Sequence, residues 1–104
     1  MNAKNVVSWF MSKKMRDAAR GEHCTIGLPG CLPGVDTTVL AHLPNRSFGK
    51  KNNDYNAAIA CHSCHMALDN QRSHNFEKDW MDYLHRRGQE LTLNRMIELG
   101  VIKP

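Results

Sequence analysis

Aromatic residues are scarce in this chain: three Phe, two Trp and two Tyr make up only 7% of its 104 residues. With 41% hydrophobic residues overall, a domain of this size buries a modest core and gains from a staple such as a structural metal. Long apolar runs are missing too. None approaches the roughly 20 residues of a membrane-spanning helix, which argues against a spanning segment. The early stretch VVSWFM is too short for a signal-peptide core, and lysines follow at once with no small-residue cleavage site. A cytoplasmic, reduced protein is the expectation. No internal repeat or composition break divides the sequence, so residues 1–104 are read as a single domain.

Cysteine is sparse as well, but its placement is informative. Cys24 and Cys31 flank a glycine-rich loop (CTIGLPGC), and Cys61 and Cys64 form a CxxC knuckle. Two such pairs can supply four thiolates to one tetrahedral Zn²⁺, and in a reducing compartment paired cysteines bind metal more often than they form disulfides. A structural zinc of this type contributes on the order of 10–16 kcal/mol of apparent free energy, comparable to the whole stability of a small domain. Two other readings of CxxC fit less well. A c-type haem attachment (CxxCH) leaves the first cysteine pair unexplained, and a thioredoxin-like site lacks its βαβ context.

Net charge is +4 and unevenly spread: residues 1–53 hold eight Lys/Arg against three Asp/Glu, residues 54–104 six against seven. The basic half suits a polyanion such as DNA, contacted through its phosphate backbone, although a solvated basic face has the same composition. Lys13, Lys14, Arg46, Lys50 and Lys51 are the candidate phosphate contacts.

The pattern predicts an N-terminal helix over 5–20, with Val7, Met11, Met15 and Ala18 on one stripe and Gly21 as its stop. A metal-binding loop follows, then a strand in TTVLAHL (Thr37–Leu43), then a mobile surface loop over 45–54 (NRSFGKKNND). A helix is expected from the knuckle through MALDNQ. A C-terminal helical segment over 76–99 carries Phe76, Trp80, Tyr83, Leu84, Leu91, Met96, Ile97 and Leu99, with a break or bend near Gly88; Trp80 and Tyr83 are expected in the core.

Successive helical side chains point about 100° apart. If Cys64 faces a zinc, His65 must face elsewhere, and Asp69, four residues on, shares the face of His65. An imidazole and a carboxylate so spaced can hold a second metal, separate from the cysteine site.

These residues resemble a known family. A histidine on a strand (His42, in VLAHL), an asparagine five residues before a CxxC (Asn56) and a histidine directly after it (His65, in NAAIACHSCH) are similar to the HNH, or ββα-metal, nucleases. The likeness extends from about Arg16 to His74 toward the small phage and prophage nucleases of the YbcO type: RDAARGEHC, a short loop to the second cysteine, TTVLAH, then AIACHSCHMALD. It implies an α+β fold, a treble-clef-like ββα-metal core (22–74) stabilised by zinc, with flanking N- and C-terminal helices. It also implies a DNA endonuclease of a bacterial host's cytoplasm, phage or prophage encoded, that hydrolyses phosphodiester bonds with a catalytic divalent metal such as Mg²⁺ or Mn²⁺. His42 would be the general base, a role suited to imidazole near neutrality. Asn56 would orient it, and His65 and Asp69 would ligate the metal. Many HNH members carry Asp or His just before the base as a further ligand; this chain has Ala41, and His74 is the candidate replacement. The alternative is a noncatalytic zinc module that binds nucleic acid or protein, which needs only the four cysteines.

Overall fold

The computed structural model describes residues 12–43, 53–69 and 77–103. Its elements run α1 (Lys13–Ala19), β1 (Val39–His42), β2 (Ala57–Ala60), α2 (His62–Asp69) and α3 (Lys78–Glu98). The chain is thus a small α+β protein, with three helices around a two-stranded antiparallel sheet among the described residues. Residues 5–11 of the expected N-terminal helix, and Phe76, lie outside the described residues. Ser12 caps α1 by accepting the Met15 N–H, which satisfies one of the orphan donors of a helix start. At the other end α1 closes through Gly21 and Glu22 N–H bonds to Ala18 and Ala19 carbonyls; Gly21 does not adopt the left-handed conformation expected of a glycine stop.

Pairing of β1 with β2 sets Val39 opposite Ala60, Leu40 opposite Ile59, Ala41 opposite Ala58 and His42 opposite Ala57. Because strand side chains alternate between faces, the sheet separates two cores. Leu40, Ala57 and Ile59 pack with Met15 and Ala19 of α1 and Met96 of α3. On the opposite face Ala41, Ala58 and Ala60 pack with Ile26, Leu28, Cys61, Cys64, Ala67, Leu68, Met81 and Leu84.

The outer edge of β2 would leave backbone groups unpaired. Thr25 donates to the Ile59 carbonyl from both its N–H and its hydroxyl, and the Ile59 N–H donates to Thr92 Oγ1 at 2.8 Å. The expected break at Gly88 does not occur: α3 is continuous, and Gly88 is buried where the helix crosses Thr25, Ile26 and Ala58. Trp80 and Tyr83, expected in the core, are 51% and 54% exposed and stack on one another with centroids 5.8 Å apart. The inward face of α3 is Met81, Leu84, His85, Gly88, Thr92 and Met96: Leu84 and Met96 of the expected stripe are buried, whereas Leu91, Ile97 and Leu99 are exposed, and three of the inward positions are not apolar side chains at all.

Candidate functional site

Cys24 and Cys31 sit on the loop before β1, where Gly27 and Gly30 take φ of 74° and 86°, a left-handed backbone that glycine adopts without steric cost. Cys61 and Cys64 bracket the start of α2. All four Sγ atoms lie within 4.8 Å of one another, and among the described residues they form the one group of three or more His, Cys, Asp or Glu placed to hold a metal ion. Cys31 Sγ and Cys61 Sγ are 3.8 Å apart, about the edge of a tetrahedron with ~2.3 Å metal–sulfur bonds. Backbone N–H groups of Ile26, Leu32 and Cys64 donate to Cys24, Cys61 and Cys61 sulfurs respectively. Such bonds stabilise thiolates.

The electrostatics of the four sulfurs call for a cation. A hydrogen bond from Cys64 holds the Cys24 thiol well below the usual range, and the same bond, followed by burial, pushes Cys64 up. Burial and then the neighbouring sulfurs raise Cys31 to about 11. Beside Cys24, the Cys31 and Cys64 thiols thus resist losing their protons, whereas a divalent ion neutralises the added charge and favours thiolates. The donor set and its spacing fit an ion such as zinc.

His42 closes β1 and shares the sheet face of Leu40, toward α1. Its Nε2 is 2.9 Å from Asp54 Oδ1. Asp54 is fully buried, and its Oδ2 accepts the Ser12 N–H at 2.6 Å and lies 3.4 Å from Arg16 Nε. The expected surface loop over 45–54 therefore ends in a buried acid; Arg46, Lys50 and Lys51 lie outside the described residues. Asp54 was absent from the sequence-derived site. The signal available was an acid just ahead of the strand that pairs with His42, but its polar, Asn-rich setting reads as solvated loop.

Asn56 acts through its main chain in the hairpin, its carbonyl accepting the Leu43 N–H at 2.9 Å, and its side-chain Oδ1 accepts from Gln89 Nε2 at 2.9 Å. Contact with the His42 ring comes from Asp54. On α2, His65 Nε2 is 3.3 Å from Asp69 Oδ2, with side chains 32% and 59% exposed, so the i, i+4 pair forms at the surface as its spacing predicts. His74 lies outside the described residues. Ala41 is buried toward α2, and its carbonyl accepts His85 Nε2–H at 2.8 Å. Among the described residues no hydrogen bond joins the His42–Asp54 pair to the His65–Asp69 pair. A groove of about 470 Å³ runs between the Glu22–Gly27 loop and Arg87, Leu91 and Arg95 of α3; none of these four site residues lines it.

No helix among the described residues is long and apolar enough to cross a membrane. The family described as Putative nuclease YbcO matches residues 13–101. Two relatives described in the same words, one from Escherichia coli strain K12 and one from Enterobacteria phage 82, are each 34% identical over 93 residues, 86% of this chain and 96% of theirs. A solved structure of a putative bacteriophage protein from E. coli K-12 MG1655 superposes with a TM-score of 0.70 at 34% identity, covering 84% of this chain and all of that one. On the extent of these matches, the chain belongs to the YbcO family of putative nucleases, with relatives in Escherichia coli K12 and in Enterobacteria phage 82.

Proposed function

We propose that this chain is a metal-dependent, HNH-type DNA endonuclease built on a treble-clef-like zinc core. The observation that carries the reading is the His42–Asp54 pair. A fully buried carboxylate, held from behind by Ser12 and Arg16, is directed at a histidine whose side chain is 36% exposed. Burying a charged acid is costly, and a surface histidine needs no such support unless its orientation matters. Four thiolates at Cys24, Cys31, Cys61 and Cys64 would hold a structural Zn²⁺ and fix the loop before β1 to the start of α2.

His65 and Asp69 fit a second divalent ion. They offer one imidazole and one carboxylate at an exposed edge, leaving other coordination positions to waters and phosphate oxygens, as Mg²⁺ sites commonly do. When bound, that ion supplies Lewis acidity toward the phosphate and the departing oxygen. His42 accepts a proton from the attacking water as the new phosphorus–oxygen bond forms, and the bond to the 3′ oxygen breaks. The leaving 3′ oxygen takes a proton from solvent. His74 remains a proposed further ligand, standing in for the group missing at Ala41, and Asn56 a proposed support of the hairpin that presents His42. Lys50 and Lys51, with the exposed lysines of α1, would meet the phosphate backbone.

Nicking of supercoiled plasmid DNA tests this reading. Wild type should nick with Mg²⁺ or Mn²⁺. His42→Ala should retain DNA binding and zinc but lose ~10²–10⁴ in rate, as removal of a general base typically does. His65→Ala should lose the reaction metal and regain part of its activity at excess Mn²⁺. The reading as a noncatalytic zinc module draws on Ala41 and on the two-residue ligand pair; absence of cleavage with Mg²⁺, Mn²⁺, Ni²⁺ or Zn²⁺ would replace the enzyme by that module.

A further inference from the structure

Asp54 constrains His42 more closely than a generic ion pair would, because its two oxygens have different partners. Oδ2 faces two groups that can only donate: the Ser12 backbone N–H at 2.6 Å and the Arg16 guanidinium, Nε at 3.4 Å. Among the described residues Oδ1 faces only His42 Nε2, at 2.9 Å. A carboxylate oxygen accepts and does not donate, so a neutral His42 must carry its proton on Nε2. The lone pair is then on Nδ1.

We propose that Asp54 is a positioning residue that sets the tautomer of His42, so that Nδ1 takes the proton from the attacking water, and that α1 belongs to the active site because Ser12 and Arg16 hold the far oxygen of Asp54. The choice of nitrogen for catalysis rests on the nuclease reading above; the tautomer itself does not.

The same partners dictate what Asp54→Asn does. Ser12 N–H and Arg16 still demand an acceptor, so the amide oxygen must occupy the Oδ2 position and the NH₂ group must face His42. A donor there requires Nε2 to accept, which moves the ring proton to Nδ1 and blocks the base, while the residue's size and the α1 contacts are kept. A merely structural role for Asp54 predicts no such inversion.

Two measurements decide it. Long-range ¹H–¹⁵N correlation spectra of histidine-labelled, zinc-loaded full chain report the tautomer of the neutral ring, with the His42 signals assigned by their loss in His42→Gln. Wild type should show the Nε2–H form and Asp54→Asn the Nδ1–H form. Nδ1–H in wild type would overturn the proposal, with no need for the variant to fold. So would the same tautomer in both proteins. In plasmid nicking, Asp54→Asn should lower kcat by ~10²–10⁴ with KM and zinc content unchanged, and full kcat in that variant would equally overturn it. If wild type cuts nothing but the tautomers invert as stated, the nuclease reading fails while the role of Asp54 as the group that fixes His42 stands.

Discussion

Thr38, Asp54, His85 and Thr92 are buried polar residues, and each answers a specific demand. Thr38 donates its hydroxyl to the Ala19 carbonyl at the end of α1. Thr92 accepts from the bare edge of β2, and His85 donates to Ala41 on the other strand. Burial pushes His85 below the ordinary imidazole value of 6.5 and His65 adds to this, while the Ala41 bond and the carboxylates of Asp69 and Asp82 oppose it. The unfolded chain therefore protonates this residue first as pH falls. Its contribution to stability is complete above about 6.5 and is lost as pH drops from there through the depressed folded value. Urea midpoints measured at about pH 8 and about pH 5.5 should fall more for wild type than for His85→Gln, the difference cancelling acid effects on the cysteines. Equal falls would show that His85 is not the titrating group. Hydropathy patterns cannot locate such residues, since their partners are main-chain groups brought close by folding.

At the level of elements, α3 shows how a sequence can predict a helix and misplace part of its face, Leu84 and Met96 falling inward as expected but Trp80, Tyr83 and Leu91 outward. The helix forms over 21 residues, but the side pressed on β2 needs small or hydrogen-bonding residues, and the large aromatics fall on an exposed flank. Gly88 lies at the crossing. A Cβ there would sit 2.7 Å from Ile26 Cδ1, 2.8 Å from Thr25 Oγ1 and 2.9 Å from Ala58 Cβ. Gly88→Ala gains about 1 kcal/mol of helix propensity, yet overpacking a close contact typically costs ~1–3 kcal/mol, and displacing Thr25 also disturbs its bond to Ile59. The variant should be net destabilised by about 1 kcal/mol, lowering Tm by ~4–8 °C in a domain of this size. A raised Tm in thermal unfolding would mean the crossing relaxes freely.

Across the whole molecule, two small cores are divided by a sheet of two four-residue strands, and a two-stranded sheet alone is marginal in water. The cysteine cluster ties the Cys24–Cys31 loop to β2 and α2 at one edge of this assembly. Metal analysis of protein purified without added metal should find about one zinc per chain. Removing it with a chelator should unfold the chain cooperatively by circular dichroism, and returning Zn²⁺ should refold it, as for other domains in which metal binding supplies much of the folding free energy. Cys64→Ala should fail to accumulate as folded protein. Stoichiometric disulfides, or an apo form as stable as the loaded one, would contradict a structural metal.

The local spacings were legible without coordinates because helices and strands impose fixed periods. They place Cys64 and His65 on different sides of α2, set His65 beside Asp69, and read a strand in TTVLAHL, of which only Val39–His42 forms β1; the motif order pointed to the family. Tertiary structure alone decided three things. Asp54, buried behind His42, meets Ser12 at 42 residues' separation. Gly88 marks a close helix–sheet crossing rather than a bend, through contacts with residues more than 25 positions away. The aromatic face of α3 turns outward. Periodicity specifies which residues share a side of an element, but which side is buried, and which polar group is worth burying, depends on backbone donors and acceptors that become neighbours only when distant segments pack.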